Sequence, residues 1–494
     1  MDTHTHPVSP LFLSTNTSES ASSASSSSSQ TPSTSSTTTT TNQNSNAYFG
    51  QERFSQPKVI SYEELHGIKP VDMDKKVHVT YNNYIMTDSL LRLQDAECKG
   101  GLTHHDEHLF IVVHQSFELW FNQILFEVES IQNILKKVFN YAKEHPNEDV
   151  DLTVENTQIL VHRLERADQI LRYSLGTFDI LETMHPADFL EFRSVIGPAS
   201  GFQSVQMREL EVMMGLRESN RRMCGGRTSY ETDLQHDIFG LTRLKKRQQE
   251  MSIRKLVYRW LEEIVYPKIP GNEFVNIFLE RKRENLAFQK SRWFNPETEM
   301  EMIEQHIEKE MKPARQWITI EDQELHIKQR TAFKFNSSGG VRSSGGCPFF
   351  SQQSSTMMDG ETSKNECCPV TQSNGTKRSN EEKIERIKRR RAAILFIMSY
   401  RHHYMLSNYA NLLDRLVALE EALLMWRTRH VRMVERMIGT RTGTGGSSGV
   451  DYLEGTLKYR VFLDLWESRS HFIQTTALPK IQYKSESNQF VFEK

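Results

Sequence analysis

Apolar residues recur at helical spacing through most of the chain. Over residues 106–139 they cover nearly the whole circumference of one predicted helix, which is typical of a helix buried in a core. Over residues 154–175 they form a single stripe, which predicts an amphipathic helix. Helical periodicity returns over residues 381–437. Because convincing alternating strands are absent, the pattern predicts an all-α fold.

Further helices are predicted between these segments. Pro186 can begin a helix at its first turn, since the N–H that proline lacks would have no partner there. That helix places Phe189 and Arg193 one turn apart. Residues 252–266 and 272–333 also have helical spacing, and we expect them to be solvent-facing helices.

Polar, low-complexity sequence interrupts the helical pattern twice. Residues 1–55 are rich in Ser and Thr, and residues 336–380 are rich in Ser, Gly and Asn, so neither stretch has much apolar surface to bury. We expect a disordered tail and a disordered surface insertion. Residues 56–335 and 381–485 then form a single helical domain, and residues 486–494 form a C-terminal tail.

Charge and cysteine content restrict the class of protein. With 61 basic and 63 acidic residues the net charge is −2, so no overall field favours nucleic acid or an anionic membrane. The basic runs at 243–247 and 388–391 are interpreted as solvated helix faces. No apolar run approaches the roughly 20 residues of a membrane span. Five scattered cysteines do not describe a disulfide framework, and we expect a cytoplasmic protein.

Two predicted helices each carry one histidine in an otherwise apolar face. His114 lies in one and His430 in the other, with apolar residues at matching angular offsets: Phe110, Phe117 and Phe121 in the first, Trp426, Met433 and Met437 in the second. A planar cofactor needs an apolar slot, an axial nitrogen and polar contacts, which Arg193 and Thr444 supply. Haem suits this pair better than a bare ion, because neither helix offers a second ligand at i+3 or i+4.

Other interpretations stay open at this point. A histidine on an apolar face is commonly a core residue, so a helical scaffold without catalysis is one alternative. His104, Glu107 and His108 match the H-x-x-E-H pattern of a zinc peptidase, although acidic residues are ordinary at a helix start. Two Cys-Pro pairs beginning at Cys347 and Cys368 resemble haem-regulatory segments. The glycine run at 443–449 lacks the lysine and spacing of a phosphate loop.

The chain closely resembles the tryptophan 2,3-dioxygenase family in several blocks that occur in the same order. The blocks are HDEHLF at 105–110, HQSFELW at 114–120, LETM at 181–184, FR at 192–193, PASGFQS at 198–204, WR at 426–427 with His430, and GTGGSSG at 443–449. This resemblance implies an all-α homotetramer that binds haem b and uses O2 to open the indole ring of L-tryptophan, giving N-formylkynurenine, the first step of tryptophan degradation by the kynurenine pathway.

The resemblance also implies a role for each matching residue. His430 matches the axial ligand of the haem iron, and His114 the distal histidine that faces the indole N–H and orients the ring. Arg193 matches the clamp on the substrate carboxylate, and Thr444 the threonine that meets the ammonium and carboxylate groups. The remaining matches are to the pocket wall and haem surroundings, Phe110, Phe189, Ile196, Ala199, Ser200, Trp426 and Gly445, and to aromatics lent by a neighbouring subunit, Tyr81 and Tyr84.

Overall fold

The computed structural model describes residues 78–216, 234, 237–320, 380–445 and 449–493, and most of its regular structure is helical. The first helices are α1 (Tyr81–Ile85), α2 (Thr87–Leu90), α3 (His105–Glu144), α4 (Val154–Leu181), α5 (Pro186–Ile196), α6 (Val205–Met214) and α7 (Ile238–Gln249). They are followed by α8 (Ile253–Trp260), a π-helical turn (Leu261–Val265), α9 (Gly271–Ser291), α10 (Met300–Thr319), α11 (Asn380–Ser399), α12 (Ser407–Ile438), α13 (Val450–Thr456) and α14 (Leu463–Ser468). Short 3-10 turns lie at Glu97–Lys99, Gly201–Gln203, Tyr266–Lys268, Arg469–His471 and Thr475–Ala477.

Three long helices, α3, α4 and α12, form the centre of the domain. α12 packs along α4, and α4 packs along α3. The packed faces fully bury Ile124 of α3, Leu164 of α4 and Leu416 of α12. Burying one such side chain contributes about 1.5–3 kcal/mol, so these contacts fix the relative positions of the three helices. The predicted all-α fold is confirmed.

Local sequence determines where the core helices begin. The side chain of His104 accepts a hydrogen bond from the Asp106 N–H at the start of α3. Thr153 caps α4 by accepting from the Asn156 N–H at 3.1 Å. Pro186 occupies the first turn of α5, as its sequence predicts. Each cap satisfies an N–H that has no partner within the helix.

The segment at 252–266 was wrongly predicted to face solvent. Ile253, Leu256 and Trp260 of α8 are fully buried, and the π-helical turn that follows also contributes to the core. The helix is strongly amphipathic, and a periodic pattern identifies the apolar face without saying how deeply it is covered. In the segment predicted over 272–333, α9 likewise buries Phe274 and Phe278.

The basic run at 388–391 is not a solvated helix face, which corrects a second expectation. Arg390 and Arg391 of α11 are 6% and 1% exposed. Their Nε atoms donate to the two carboxylate oxygens of Asp464, at 2.7 and 2.9 Å. Arg390 also pairs with Glu262 of the π-helical turn. Paired in this way, charges can be buried because each is compensated by an opposite charge.

A short antiparallel hairpin ends the described chain. Its strands are β1 (Ile481–Lys484) and β2 (Gln489–Phe492), with Ile481 opposite Phe492 and Lys484 opposite Gln489. Phe490 is buried, so residues assigned to a C-terminal tail from 486 instead pack on the domain. No described helix combines the length and apolar composition needed to cross a membrane.

Most of the predicted low-complexity sequence lies outside the described residues. This applies to the tail at 1–55 and to the insertion at 336–380 up to residue 379, including the Cys-Pro pairs at Cys347 and Cys368. Among the five cysteines, Cys98 is described, and its thiol is exposed and free.

Candidate active site

A deep cavity lies between α3 and α12 and receives a histidine from each helix. It encloses about 1430 Å³ of space, counting its open mouth. Its apolar lining includes Phe117 and Phe121 of α3, Phe178 of α4, and Met433 and Met437 of α12. His114 and His430 both line it. The faces that the sequence pattern singled out therefore meet in one cavity.

His430 sits among aromatic rings on the α12 side of the cavity. Its ring centroid lies 5.2 Å from Trp426 and 5.9 Å from Phe178. Burial, with smaller contributions from nearby His114 and Arg208, lowers the pKa of His430 to about 4. Within the described chain, neither of its ring nitrogens has a hydrogen-bond partner. His430 is thus neutral at pH 7 and keeps a lone pair available to a metal.

His114 presents the opposite wall of the cavity from α3. The Phe110 carbonyl oxygen lies 2.7 Å from its Nδ1, so Nδ1–H donates to this carbonyl and Nε2 carries the free lone pair. The side chain of His114 has an exposed surface and lines the open cavity. Burial lowers the pKa of His114, opposed by its hydrogen bond to Phe110 and by the charge of Glu118. The neutral ring can accept a hydrogen bond from a ligand.

Arg193 and the loop after α12 form the mouth of the cavity. Nη2 of Arg193 donates to the Thr442 carbonyl, whereas its buried Nε has no partner among the described residues. Thr444 Oγ1 donates to the Ala199 carbonyl at 2.6 Å. The loop therefore lies against the segment that follows α5 and holds a guanidinium and a hydroxyl at one end of the cavity.

Gly445 makes the closest approach between these two segments. A Cβ atom at this position would lie 2.7 Å from the Ser200 Cβ, well inside contact distance. Ser200 in turn caps the turn at Gly201–Gln203, which fixes its own backbone. Glycine is required at position 445 because any side chain would push the loop away from Ser200.

A cluster of phenylalanine rings packs beside His114. The Phe110 ring centroid lies 4.1 Å from that of His114 and 5.7 Å from that of Phe189. Phe189 and Phe192 meet edge to face at 5.4 Å. Such walls suit a flat aromatic ligand.

A charged side wall of the cavity was missed by the sequence analysis. Glu211 of α6 bonds to Arg208 at 2.8 Å and to Arg427 of α12 at 3.2 Å, and all three line the cavity. Glu118 of α3 lines it as well and accepts a hydrogen bond from Gln206 at 2.8 Å. Glu118 lies four residues after His114, so the expectation that neither helix offers a second ligand at i+3 or i+4 is wrong for α3.

Several predicted site residues lie beside the cavity rather than on its lining. Ile196 packs against the hydrophobic core, and Ala199 and Gly445 contribute backbone contacts at the mouth. Tyr81 and Tyr84 are each 78% exposed and do not line the cavity. The remaining predicted residues line it: Phe110, His114, Phe189, Arg193, Ser200, Trp426, His430 and Thr444.

The H-x-x-E-H match at the start of α3 is a helix cap and not a zinc site. The His104 ring accepts from the Asp106 N–H, and Glu107 accepts from the Thr103 N–H at 2.8 Å and hydroxyl at 3.0 Å. Among the described residues, no three His, Cys, Asp or Glu side chains are grouped as metal ligands. These contacts leave the zinc peptidase alternative without support.

The chain is similar in sequence to known proteins of one family. The family model described as tryptophan 2,3-dioxygenase matches residues 69–337 and 358–472. A protein named tryptophan 2,3-dioxygenase 2, from Ralstonia nicotianae, is 32% identical over 82% of this chain and 96% of its own length. Tryptophan 2,3-dioxygenases of Sorangium cellulosum and Dictyostelium discoideum are 32% and 30% identical, over 83% and 82% of this chain and 87% and 86% of the relatives. The chain belongs to the tryptophan 2,3-dioxygenase family.

Proposed function

We propose that the protein is a haem-dependent dioxygenase that opens the indole ring of L-tryptophan with O2. The observation that carries the proposal is the pairing of His114 and His430 across one apolar cavity, with Arg193 and Thr444 at its mouth. In the proposed reaction the indole C2–C3 bond and the O–O bond break, and both oxygen atoms enter N-formylkynurenine. This reaction begins the degradation of tryptophan by the kynurenine pathway.

The residues of the α12 wall fit haem b. His430 offers a neutral nitrogen to the iron, and aromatic and methionine side chains offer apolar contact to the porphyrin. The buried indole Nε1 of Trp426 has no hydrogen-bond partner among the described residues, and it can donate to a polar edge of the cofactor. When bound, haem supplies the iron that binds and activates O2.

The mouth of the cavity fits the amino-acid end of tryptophan. Arg193 provides a planar guanidinium whose Nε is already buried and lacks a partner, so a carboxylate can satisfy it. The Thr444 hydroxyl gives its proton to the Ala199 carbonyl and keeps lone pairs for an ammonium group. Together the two side chains orient the substrate by both charges of its amino-acid group.

His114 and the phenylalanine walls fit the indole. The Phe110 and Phe189 rings pack on each other, 5.7 Å apart centroid to centroid, and together offer the indole an apolar wall. Nε2 of His114 accepts the indole N–H while Nδ1–H stays bonded to the Phe110 carbonyl. His114 thereby orients the ring, and no proton need leave the indole for this contact.

We also propose that the protein is a cytoplasmic homotetramer. The exposed rings of Tyr81 and Tyr84 support a homotetramer in which these tyrosines enter a neighbouring subunit's site. The scattered cysteines support a cytoplasmic location. L-tryptophan and O2 are the proposed small-molecule partners.

The absorption spectrum of the purified protein tests this function. The wild type should show a haem Soret band and convert L-tryptophan. His430→Ala should lose most of its haem content and most of its turnover, because the proposed axial nitrogen is removed. His162→Ala is the matched control, since His162 lies on the outside of α4 and bonds to Arg166. A His430→Ala variant with normal haem content and turnover would overturn the proposal. So would a colourless, inactive wild type.

A further inference from the structure

Glu118 is a carboxylate in the cavity to which the proposed reaction assigns no role. It follows His114 by one turn of α3, and both side chains line the cavity. Residues at this spacing lie on neighbouring parts of a helix surface, with Cβ atoms about 5–6 Å apart. Glu118 is therefore near the histidine proposed to face the indole.

The position of Glu118 is fixed from α6. Nε2 of Gln206 donates both to the Glu118 carboxylate and to its backbone carbonyl, each at 2.8 Å. These two bonds to one amide hold the side chain at the junction of α3 and α6. A carboxylate held there cannot swing out to solvent without losing a hydrogen bond.

The other charged groups on the cavity have different neighbours. Arg208 of α6 and Arg427 of α12 both bond to Glu211. Arg193 of α5 donates to the loop at Thr442, and His430 of α12 is neutral. No described cation lies within ion-pair distance of Glu118, whose bonded partner Gln206 is uncharged. Burial lowers the pKa of His114, and Glu118 is the charged group that opposes this effect.

We propose that Glu118 is a positioning residue that acts through His114 and sets the pH below which His114 stops accepting the indole N–H. The inference rests on the proposed function. The carboxylate of Glu118 favours the imidazolium form of His114. When Nε2 takes up a proton from solvent, its lone pair is lost, and with it the hydrogen bond to the indole. Burial opposes protonation and Glu118 favours it, and the balance determines the pH range of tryptophan binding.

The experiment measures the dissociation constant of L-tryptophan from its effect on the haem spectrum of the holoenzyme, from about pH 5 to 8, the range over which histidine titrates. For the wild type, affinity should fall on the acid side of an apparent pKa. In Glu118→Gln, the midpoint of this fall should move down by about 0.5–1 pH unit, less than for a charge in direct contact. Affinity at high pH should change less than about twofold.

Four further variants separate electrostatics from structural damage. Glu118→Asp keeps the charge and should keep the wild-type midpoint, whereas Glu118→Ala is a second neutral variant and should repeat the shift. His114→Ala should abolish the pH-dependent fall. Glu129→Gln is the matched control, because Glu129 lies on the same helix and pairs with Arg247 away from the cavity. It should leave the midpoint unchanged.

Distinct results would overturn the inference and the proposed function. A wild-type midpoint in both neutral variants, with the fall still dependent on His114, would overturn the role of Glu118 alone. The role of Glu118 would also be overturned if the neutral variants lost tryptophan affinity at every pH but still bound indole-3-propionate normally. Indole-3-propionate lacks the ammonium group, so this result would indicate that Glu118 contacts the substrate ammonium directly. A wild type that binds neither haem nor tryptophan would overturn the proposed function itself.

Discussion

At the scale of single residues, the chemistry of the cavity depends on which atoms lack partners. His430 has a free ring nitrogen, and Arg193 has a buried Nε without a partner among the described residues. Buried polar groups are usually satisfied, so such atoms indicate positions that a ligand completes. The sequence pattern predicted His430 from its place in an apolar helical face, and it placed Arg193 one turn after Phe189 on a predicted helix. It did not predict Glu118, because a glutamate one turn from a histidine is ordinary on a helix surface.

We expect Arg193 to contribute to substrate binding by pairing with the substrate carboxylate. Arg193→Ala should weaken substrate and transition-state binding by about 2–5 kcal/mol, the usual cost of leaving a charged partner unpaired. The measurement is kcat/KM for L-tryptophan. Binding of tryptamine, which lacks the carboxylate, is the control and should change little. Unchanged catalytic efficiency for tryptophan would contradict the clamp.

At the scale of elements, the site is assembled from segments far apart in the chain. The mouth joins the end of α5 to the loop after α12 through Thr444 and the Ala199 carbonyl, which are 245 residues apart. Periodicity predicted both helices, and the glycine run predicted a loop. Neither could show that the loop lies on residues 198–200, because the packing of α4 between α3 and α12 determines that contact.

Gly445 offers a direct test of that contact. In Gly445→Ala the new Cβ would meet Ser200 at 2.7 Å, so the loop must move and carry Thr444 away from the position proposed for the substrate ammonium. We expect kcat/KM for L-tryptophan to fall at least about tenfold, as displacements near 1 Å can cost still more. Gly201→Ala is the control, because a Cβ there meets nothing within 4 Å and the residue also borders the cavity. Equal activity of the two variants would contradict the account of the mouth.

At the scale of the whole molecule, the least predictable feature is the buried charge network around Asp464. Arg390 lies 74 residues from Asp464, and its other partner Glu262 is 128 residues away. From local sequence alone, a run of four basic residues predicts a solvated helix face. Only the folded chain brings acidic groups from the π-helical turn and α14 to compensate it. The all-α class followed from periodicity, whereas burial of this polar network depended on tertiary packing.

The central claim is that this cavity directs both atoms of O2 into tryptophan. The most direct measurement is the mass of the product formed by the haem-loaded, reduced protein from L-tryptophan under ¹⁸O₂. We expect N-formylkynurenine that carries two labelled oxygen atoms. A product with one labelled atom, or no product from a protein that holds haem and binds tryptophan, would contradict it.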